Sequence, residues 1–257
     1  MRQKNMTWFG VAALALAVAG LAGCSGDAVD DAAGVDTPPS TPAKTSPSAT
    51  AAASAVLSSF SDSFDDDHNG WALPPSEFGT MTVSGGDFVW DDKLFELRPH
   101  IIARTVADAF DQGRLEMTNV RVSASVTLER GVAAVGVYCR EVPDTDSDFE
   151  WYEFVARDGY AAIRLADAAG NLEPLAETKD AELRRGTAAT IEATCVDNPD
   201  GTAELSFSLD GAQLLSVAVD DPLGNGGAGL QAYGASEAQA DEPSLIAWHD
   251  FAVQPAS

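Results

Sequence analysis

The densest group of potential ligand atoms in the sequence is Asp65-Asp66-Asp67-His68-Asn69-Gly70. Carboxylate and amide oxygens at this spacing, closed by a glycine, are hard donors of the kind that hold Ca2+. The run lacks the alternating acids and final Glu of an EF-hand loop. Without a metal it reads as a solvated Asx turn leading into a strand. Asp65, Asp67 and Asn69 are therefore candidate ligands for a structural calcium. Asp144-Thr145-Asp146-Ser147-Asp148 is a second acidic run and reads as a solvated loop tip.

Acid–base chemistry on a sugar needs two carboxylates flanking one bond. Glu150 and Glu153 fall on opposite faces of a strand by period-two counting, so they cannot form that pair. The sequence contains no Gly-x-Ser-x-Gly elbow, no His-Glu-x-x-His and no phosphate-binding glycine loop. No residue is nominated as catalytic. His68, His100 and His249 read as structural or surface groups, and three cysteines with three histidines leave little for a Cys/His metal cluster.

Aromatic rings are the other chemical handle, because sugar sites set Trp and Tyr faces against the apolar faces of pyranoses. Phe149, Trp151 and Glu153 share one strand face, and Glu150, Tyr152 and Phe154 share the other. One face must be core. Tyr138 and Arg140 alternate with Cys139 and so point away from it. Together with Tyr152 and Tyr160 they form the candidate ligand surface.

These residues need a scaffold, and the pattern around them is one of short alternating runs broken by turns. Val120, Val122, Ala124, Val126 and Leu128 recur at period two. Val135, Val137 and Cys139 do the same, as do Ile191, Ala193 and Cys195. Asp158-Gly159 is a type I′ hairpin dipeptide between Phe149–Ala156 and Tyr160–Leu165. Asp210-Gly211 and Pro199-Asp200-Gly201 mark further turns. Ile101 to Phe110 is the segment nearest to helical spacing, enough for a single turn. Many short strands with Gly/Asp turns predict an all-β sandwich or barrel.

The chain has 257 residues, with 15 Lys+Arg against 40 Asp+Glu, a net charge of −25. Only Asp27, Asp30, Asp31 and Asp36 precede Ser58, so the acidity belongs to the segment from Ser58 onward. That charge argues against nucleic acid, whose phosphates need a Lys/Arg surface. It argues equally against a basic patch docking on anionic lipid.

The first residues have a different character. Arg2 and Lys4 precede an uncharged apolar run, Trp8 to Ala22, of signal-peptide rather than membrane-spanning length. It ends in Leu21-Ala22-Gly23-Cys24, which resembles the bacterial lipobox. That resemblance implies cleavage before Cys24 and transfer of a diacylglycerol to its thiol, with further acylation such as palmitate making a stable anchor. Residues 1–23 are then a signal peptide. Residues 24–57 are a lipidated cysteine and an Ala/Ser/Thr/Pro tether without an aromatic residue, and residues 58–257 are the folded domain. With Cys24 lipidated, Cys139 and Cys195 remain. In an exported domain they are expected to pair as a disulfide, the other reading being two buried thiols.

Three blocks carry a family resemblance: FSDSFDDDHNGW, GVYCREVPDTDSDFEWYEFVARDGYAAIRL, and the closing series IEATCVD, LSFSLDGAQLLSV and WHDFAV. They resemble, in order and spacing, the concanavalin A-like jelly-roll fold. The closer resemblance is to the laminin-G-like and 3-keto-disaccharide-hydrolase-like domains of secreted bacterial lipoproteins. It implies two packed antiparallel sheets, one concave, with a sugar or protein ligand on that face or its loops. It also implies calcium near the chain termini in some relatives, which adds Asp250 to the candidate ligands. His249 stands where relatives often carry Asp.

The fold hosts lectins, hydrolases and adhesion modules alike. The missing catalytic set puts a binding module first: a lipid-anchored, extracytoplasmic, monomeric domain that holds a glycan or a cell-envelope partner. A hydrolase acting on a sugar derivative and a protein-binding adhesion domain are the alternatives.

Overall fold

The computed structural model describes residues 58 to 256, apart from 74, 77–78, 94–99, 104–105, 108–116, 144–148, 168–170 and 235–240. The described residues belong to one compact unit, Ala52–Ser257. The signal segment 1–23, Cys24, the 24–57 tether and the acidic run 144–148 lie outside the described residues.

The described elements are strands: Phe60–Asp62 (β1), Gly79–Ser84 (β2), Asp87–Asp92 (β3), His100–Ile101 (β4), Val120–Arg130 (β5), Ala133–Pro143 (β6) and Phe149–Arg157 (β7). They continue with Tyr160–Ala166 (β8), Leu172–Thr178 (β9), Ala189–Asp197 (β10), Ala203–Leu209 (β11), Ala212–Val219 (β12), Gly227–Gly234 (β13) and Leu245–Pro255 (β14). The strand β9 has no alternating apolar pattern (LEPLAET) and carries Pro174. It is a sheet edge, where a missing N–H is tolerated. Near Ala103 the amides of Val106 and Ala107 both donate to its carbonyl, a helical turn inside the segment of helical spacing.

The strands form two antiparallel sheets. The larger runs β12-β11-β10-β5-β14-β3-β2, with β1 paired to β14; the smaller runs β4-β13-β6-β7-β8-β9. Sequence neighbours such as β6, β7 and β8 pair as hairpins, whereas β14 returns from the C-terminus to lie between β5 and β3. This is a jelly-roll sandwich. Its core is the alternate-residue set predicted from period two: Val120, Val122, Ala124 and Val126 from β5 face Val135, Val137 and Cys139 from β6. Phe60, Phe64, Trp71, Phe88 and Phe251 close one part of the core, with ring centroids 5.1 to 6.4 Å apart. Burying each such ring contributes about 2 kcal/mol.

Cys139 and Cys195 form a disulfide, with Cα atoms 6.8 Å apart, that ties β6 of one sheet to β10 of the other. The expected bridge is present, and both residues point inward as their alternation required. Beside it, Arg140 reaches Asp197 at 2.6 Å and donates to the carbonyls of Leu223 and Thr118. Arg140, next to Cys139, and Asp197, two residues after Cys195, thus repeat the cross-link electrostatically.

Candidate ligand-binding site

The hairpin β7–β8 generates the site by simple counting. The Asp158-Gly159 turn, with Gly159 at φ 71°, sets Arg157 opposite Tyr160, and four pairs further on Glu153 lies opposite Arg164. Tyr152, Phe154, Ala156, Ala161 and Ile163 belong to the core. Trp151, Glu153, Val155, Arg157, Tyr160 and Arg164 therefore share the outer face of the smaller sheet. The neighbouring strands add Ala134, Gly136 and Tyr138 from β6 and Gly229, Gln231 and Tyr233 from β13.

Glu153 is fully buried on that outer face. Its Oε1 lies 2.5 Å from Arg164 Nε, and Tyr233 donates its hydroxyl to Oε2 at 2.5 Å. The Trp151 side chain also lies beside the carboxylate. Desolvation nevertheless outweighs the Arg164 charge and these hydrogen bonds, and the carboxyl titrates above the usual glutamate range. The Arg164 guanidinium stacks on the Tyr233 ring, 5.1 Å from its centroid.

Over this network opens a cleft of about 280 Å³, walled by Val155, Arg157, Tyr160, Arg164 and Tyr233 and bounded by Ala133 and Ala134. The Arg157 guanidinium lies over the Tyr160 ring, 5.3 Å from its centroid. Two aromatic–arginine pairs thus face one small cleft, and no carboxylate is among the described residues that wall it. A second cleft of about 410 Å³ shares Val132 and Ala133 with the first and is walled by Asp158, Leu183, Arg184 and Arg185. Aromatic faces and rigid guanidinium forks can hold a ring bearing hydroxyls or an acid group. The buried Glu153 is one acid–base group; a second carboxylate at hydrolytic spacing is not among the described walls.

The four residues of the expected ligand surface do not assemble. Tyr160 lines the cleft, half-buried, with its hydroxyl donating to Glu177 at 3.3 Å. Tyr138 is on the outer face, as counted, but is completely buried. Its ring lies over Gly229, where a Cβ would sit 2.5 Å from the hydroxyl, and burial pushes its phenol well above the ordinary value. Tyr152 points the other way, into the core opposite Cys139, with its hydroxyl accepting from the Leu223 amide at 3.0 Å. Arg140 leaves the alternation altogether. A bulge between Cys139 and Val142 puts it in the left-handed region, φ 55°, so its side chain runs to Asp197 rather than to the outer face.

Glu153, Arg157, Arg164 and Tyr233 were not singled out from sequence as ligand residues. The signal for three of them was present. Counting back from the Asp158-Gly159 turn pairs Glu153 with Arg164 and Arg157 with Tyr160. Tyr233 has no such signal, since it comes from a strand 80 residues away.

The acidic turn is built around Asp62. Its Oδ1 accepts from the Phe64 amide, and its Oδ2 from Asn69 Nδ2 at 2.7 Å and Trp71 Nε1 at 2.8 Å. Asp67 Oδ1 accepts from the amides of Trp71 and Ala72, Asp65 accepts from the Ser63 hydroxyl, and Asp66 pairs with His68. That exposed pair holds the Asp66 carboxyl below its ordinary value and the His68 imidazole above its own. Asp250 accepts from the Ser125 amide at 3.0 Å across β5 and β14. Among the described residues no group of three or more His, Cys, Asp or Glu side chains is arranged to hold a metal.

His249 sits at a bulge in β14, on the larger sheet. Its Nε2 lies 2.7 Å from Thr127 Oγ1 and its Nδ1 2.7 Å from Asp87 Oδ1. The imidazole therefore ties together β5, β14 and β3, which are neighbours in that sheet.

No family model matches the sequence, and no curated protein matches it. Solved structures do. One reported as a native glycosidic hydrolase superposes with a TM-score of 0.52, covering 80% of this chain and 99% of its own, at 11% identity. A Bacillus licheniformis beta-glucanase superposes with a TM-score of 0.51, covering 77% of this chain and 99% of its own, at 7% identity. At these identities the likeness is one of fold, and the fold is the jelly-roll sandwich.

Proposed function

We propose that this chain is an extracytoplasmic carbohydrate-binding module, with the saccharide seated in the cleft between the Arg157–Tyr160 and Arg164–Tyr233 pairs. The observation that carries the reading is that cleft, held in shape by a buried carboxylate on what would otherwise be a plain outer sheet face. Aromatic faces supply the stacking surface, and the arginines that lie over them supply donors to hydroxyl and acid oxygens. A volume of about 280 Å³ suits one or two sugar rings of a longer chain. Two fold neighbours above 0.5 in TM-score are a glycosidic hydrolase and a glucanase, which supports carbohydrate as the ligand class.

The location follows from the sequence and the disulfide. A cross-linked Cys139–Cys195 pair belongs to an oxidising compartment. No helix among the described residues is long and apolar enough to cross a membrane. The Leu21-Ala22-Gly23-Cys24 box supports an anchor of lipid on Cys24, with residues 25–57 as the spacer between lipid and domain. Hydrolysis of a sugar derivative is the second reading. One observation favours it: Glu153 titrates above the usual range, as a general acid must.

A glycan screen by thermal shift and calorimetry on the purified chain tests the first reading. The expected result is saturable binding of a saccharide that is abolished in Tyr233→Ala or Tyr160→Ala. Binding that survives both substitutions moves the site elsewhere. Release of reducing ends that depends on Glu153 establishes the hydrolase instead. Mass spectrometry of membrane-fraction protein, with Cys24→Ser as the control, tests the lipid. Cys24→Ser is expected to lose both the acyl mass and the membrane association.

A further inference from the structure

We propose that the cleft selects a saccharide carrying negative charge, a uronate carboxylate or a sulfate ester, and that Arg157 is the group that meets it. This rests on the saccharide reading and narrows it to a substrate class.

The argument is one of charge placement. The chain has a net charge of −25, so an average patch of its surface repels anions. The walls of this cleft do the opposite: two guanidiniums and no carboxylate are among its described residues. Arg121, Arg130, Arg140, Arg164, Arg184 and Arg185 each have a carboxylate within ion-pair distance. Arg157 is the one arginine among the described residues with no ion pair; it is exposed and lies over the Tyr160 ring. In so acidic a protein, an arginine that faces a cleft and has no ion pair is placed to meet a negative ligand charge.

The geometry suits an anionic group better than a neutral hydroxyl. The Arg157 guanidinium lies over the Tyr160 ring, 5.3 Å from its centroid, and a guanidinium can form two parallel hydrogen bonds from one edge. Carboxylate and sulfate oxygens match that fork, while a single hydroxyl uses half of it. Arg164, already neutralised by Glu153, orients the ring on the other side and adds no net charge of its own. The adjoining cleft continues the pattern. Arg184 and Arg185 line it, paired only at the exposed surface with Glu182 and Glu242, where such pairs are weak and exchangeable. Asp158 is the one acid among its described wall residues. Two contiguous clefts with guanidiniums at both ends fit a polymer with repeated acid groups.

The test uses the purified chain and three oligosaccharides of equal length: a uronate oligomer, a sulfated oligomer and a neutral glucan oligomer. Affinities are read by calorimetry at fixed ionic strength. The expected result is that one acidic oligomer binds at least about tenfold tighter than the neutral one, and that Arg157→Gln removes that difference. Which acidic oligomer binds distinguishes carboxylate from sulfate. Arg157 is exposed, and circular dichroism of Arg157→Gln verifies that the fold is retained; Arg157→Lys is expected to restore part of the preference by returning the charge without the fork. Equal or tighter binding of the neutral oligomer, or an acidic preference untouched by Arg157→Gln, overturns the inference and leaves the saccharide reading standing. Binding of none of the three overturns the inference together with the saccharide reading.

Discussion

Tyr233 donates its hydroxyl to Glu153 at 2.5 Å, although β13 and β7 are not neighbours and β6 runs between them. The reach is diagonal: Tyr233 pairs with Ala134 and Glu153 with Tyr138, and Gly136 between those two β6 positions presents no side chain to the outer face. Small residues in the middle strand let two long side chains meet above it, and a buried acid results.

That contact makes Gly136 the first residue to alter. A Cβ built there lies 2.0 Å from the Phe154 carbonyl oxygen and 2.8 Å from Val155 Cγ1. The first obstacle is backbone in the paired strand, which cannot rotate away. Gly136→Ala is expected to cost about 2 kcal/mol or more. Urea denaturation measures it, and an unchanged midpoint would mean the sheet opens freely at this position.

Glu153 predicts a pH dependence. Its folded-state titration point is raised, chiefly by burial, so the fold binds this proton more tightly than the unfolded chain does. The stability it contributes is complete below the ordinary glutamate value of about 4.3 and is lost as pH rises through the raised value. Glu153→Gln removes this proton site. The stability difference, wild type minus Glu153→Gln, is expected to fall as pH rises from about 4 toward neutral. Denaturation midpoints of both proteins across that range give the answer; a flat difference would place Glu153 in an ordinary solvated environment.

The cross-link and its neighbour predict two separable losses. The bridge closes a loop with a sequence separation of 56, and its removal is expected to cost about 4 kcal/mol, largely through the freed unfolded chain. Arg140 is buried and bonded to Asp197 and two carbonyls, so Arg140→Ala leaves those acceptors without their donor. A loss of about 2 kcal/mol is expected. Calorimetry with and without reductant, on the wild type and Arg140→Ala, separates the terms. If Arg140→Ala instead weakens saccharide binding at unchanged stability, Arg140 belongs to the ligand surface.

Asp62 predicts the fate of the opening turn. It is the acceptor for Phe64 N, Asn69 Nδ2 and Trp71 Nε1. Asp62→Ala is expected to destabilise by about 3 kcal/mol, because buried donors lose their partner. Calcium is expected to move the melting point by less than about 1 °C, since Asp67 Oδ1 and both Asp62 oxygens already accept hydrogen bonds. A larger calcium-dependent shift that disappears in Asp67→Asn would make the turn a metal site.

His249 predicts a smaller, local effect. It joins Asp87 and Thr127 through its two ring nitrogens across three strands of the larger sheet. His249→Ala is expected to cost about 1 kcal/mol in partly solvated hydrogen bonds. Hydrogen exchange should report faster opening of β3 against β14, with β10 and β11 unaffected.

Alternation and turn chemistry, both local, were legible in the amino-acid sequence. Period two set Val120–Val126, Val135–Cys139 and Ile191–Cys195 on the core face, because successive strand side chains must point to opposite sides. It therefore turned both cysteines inward and left them able to pair. The Asp158-Gly159 dipeptide also determined that Glu153 faces Arg164, since a two-residue turn fixes the register of its hairpin. Arg140 was misplaced because a bulge adds a residue and breaks the phase, and nothing in Cys139-Arg140-Glu141 announces it. Tyr152 was misplaced because both faces of β7 carry aromatics and both are covered, so hydrophobicity alone could not choose between them. Tyr233 over Glu153, and His249 between Asp87 and Thr127, depend on which strands become neighbours when the sandwich closes. That choice is made by packing two whole sheets, with partners 80 to 162 residues apart, and only the tertiary structure decides it.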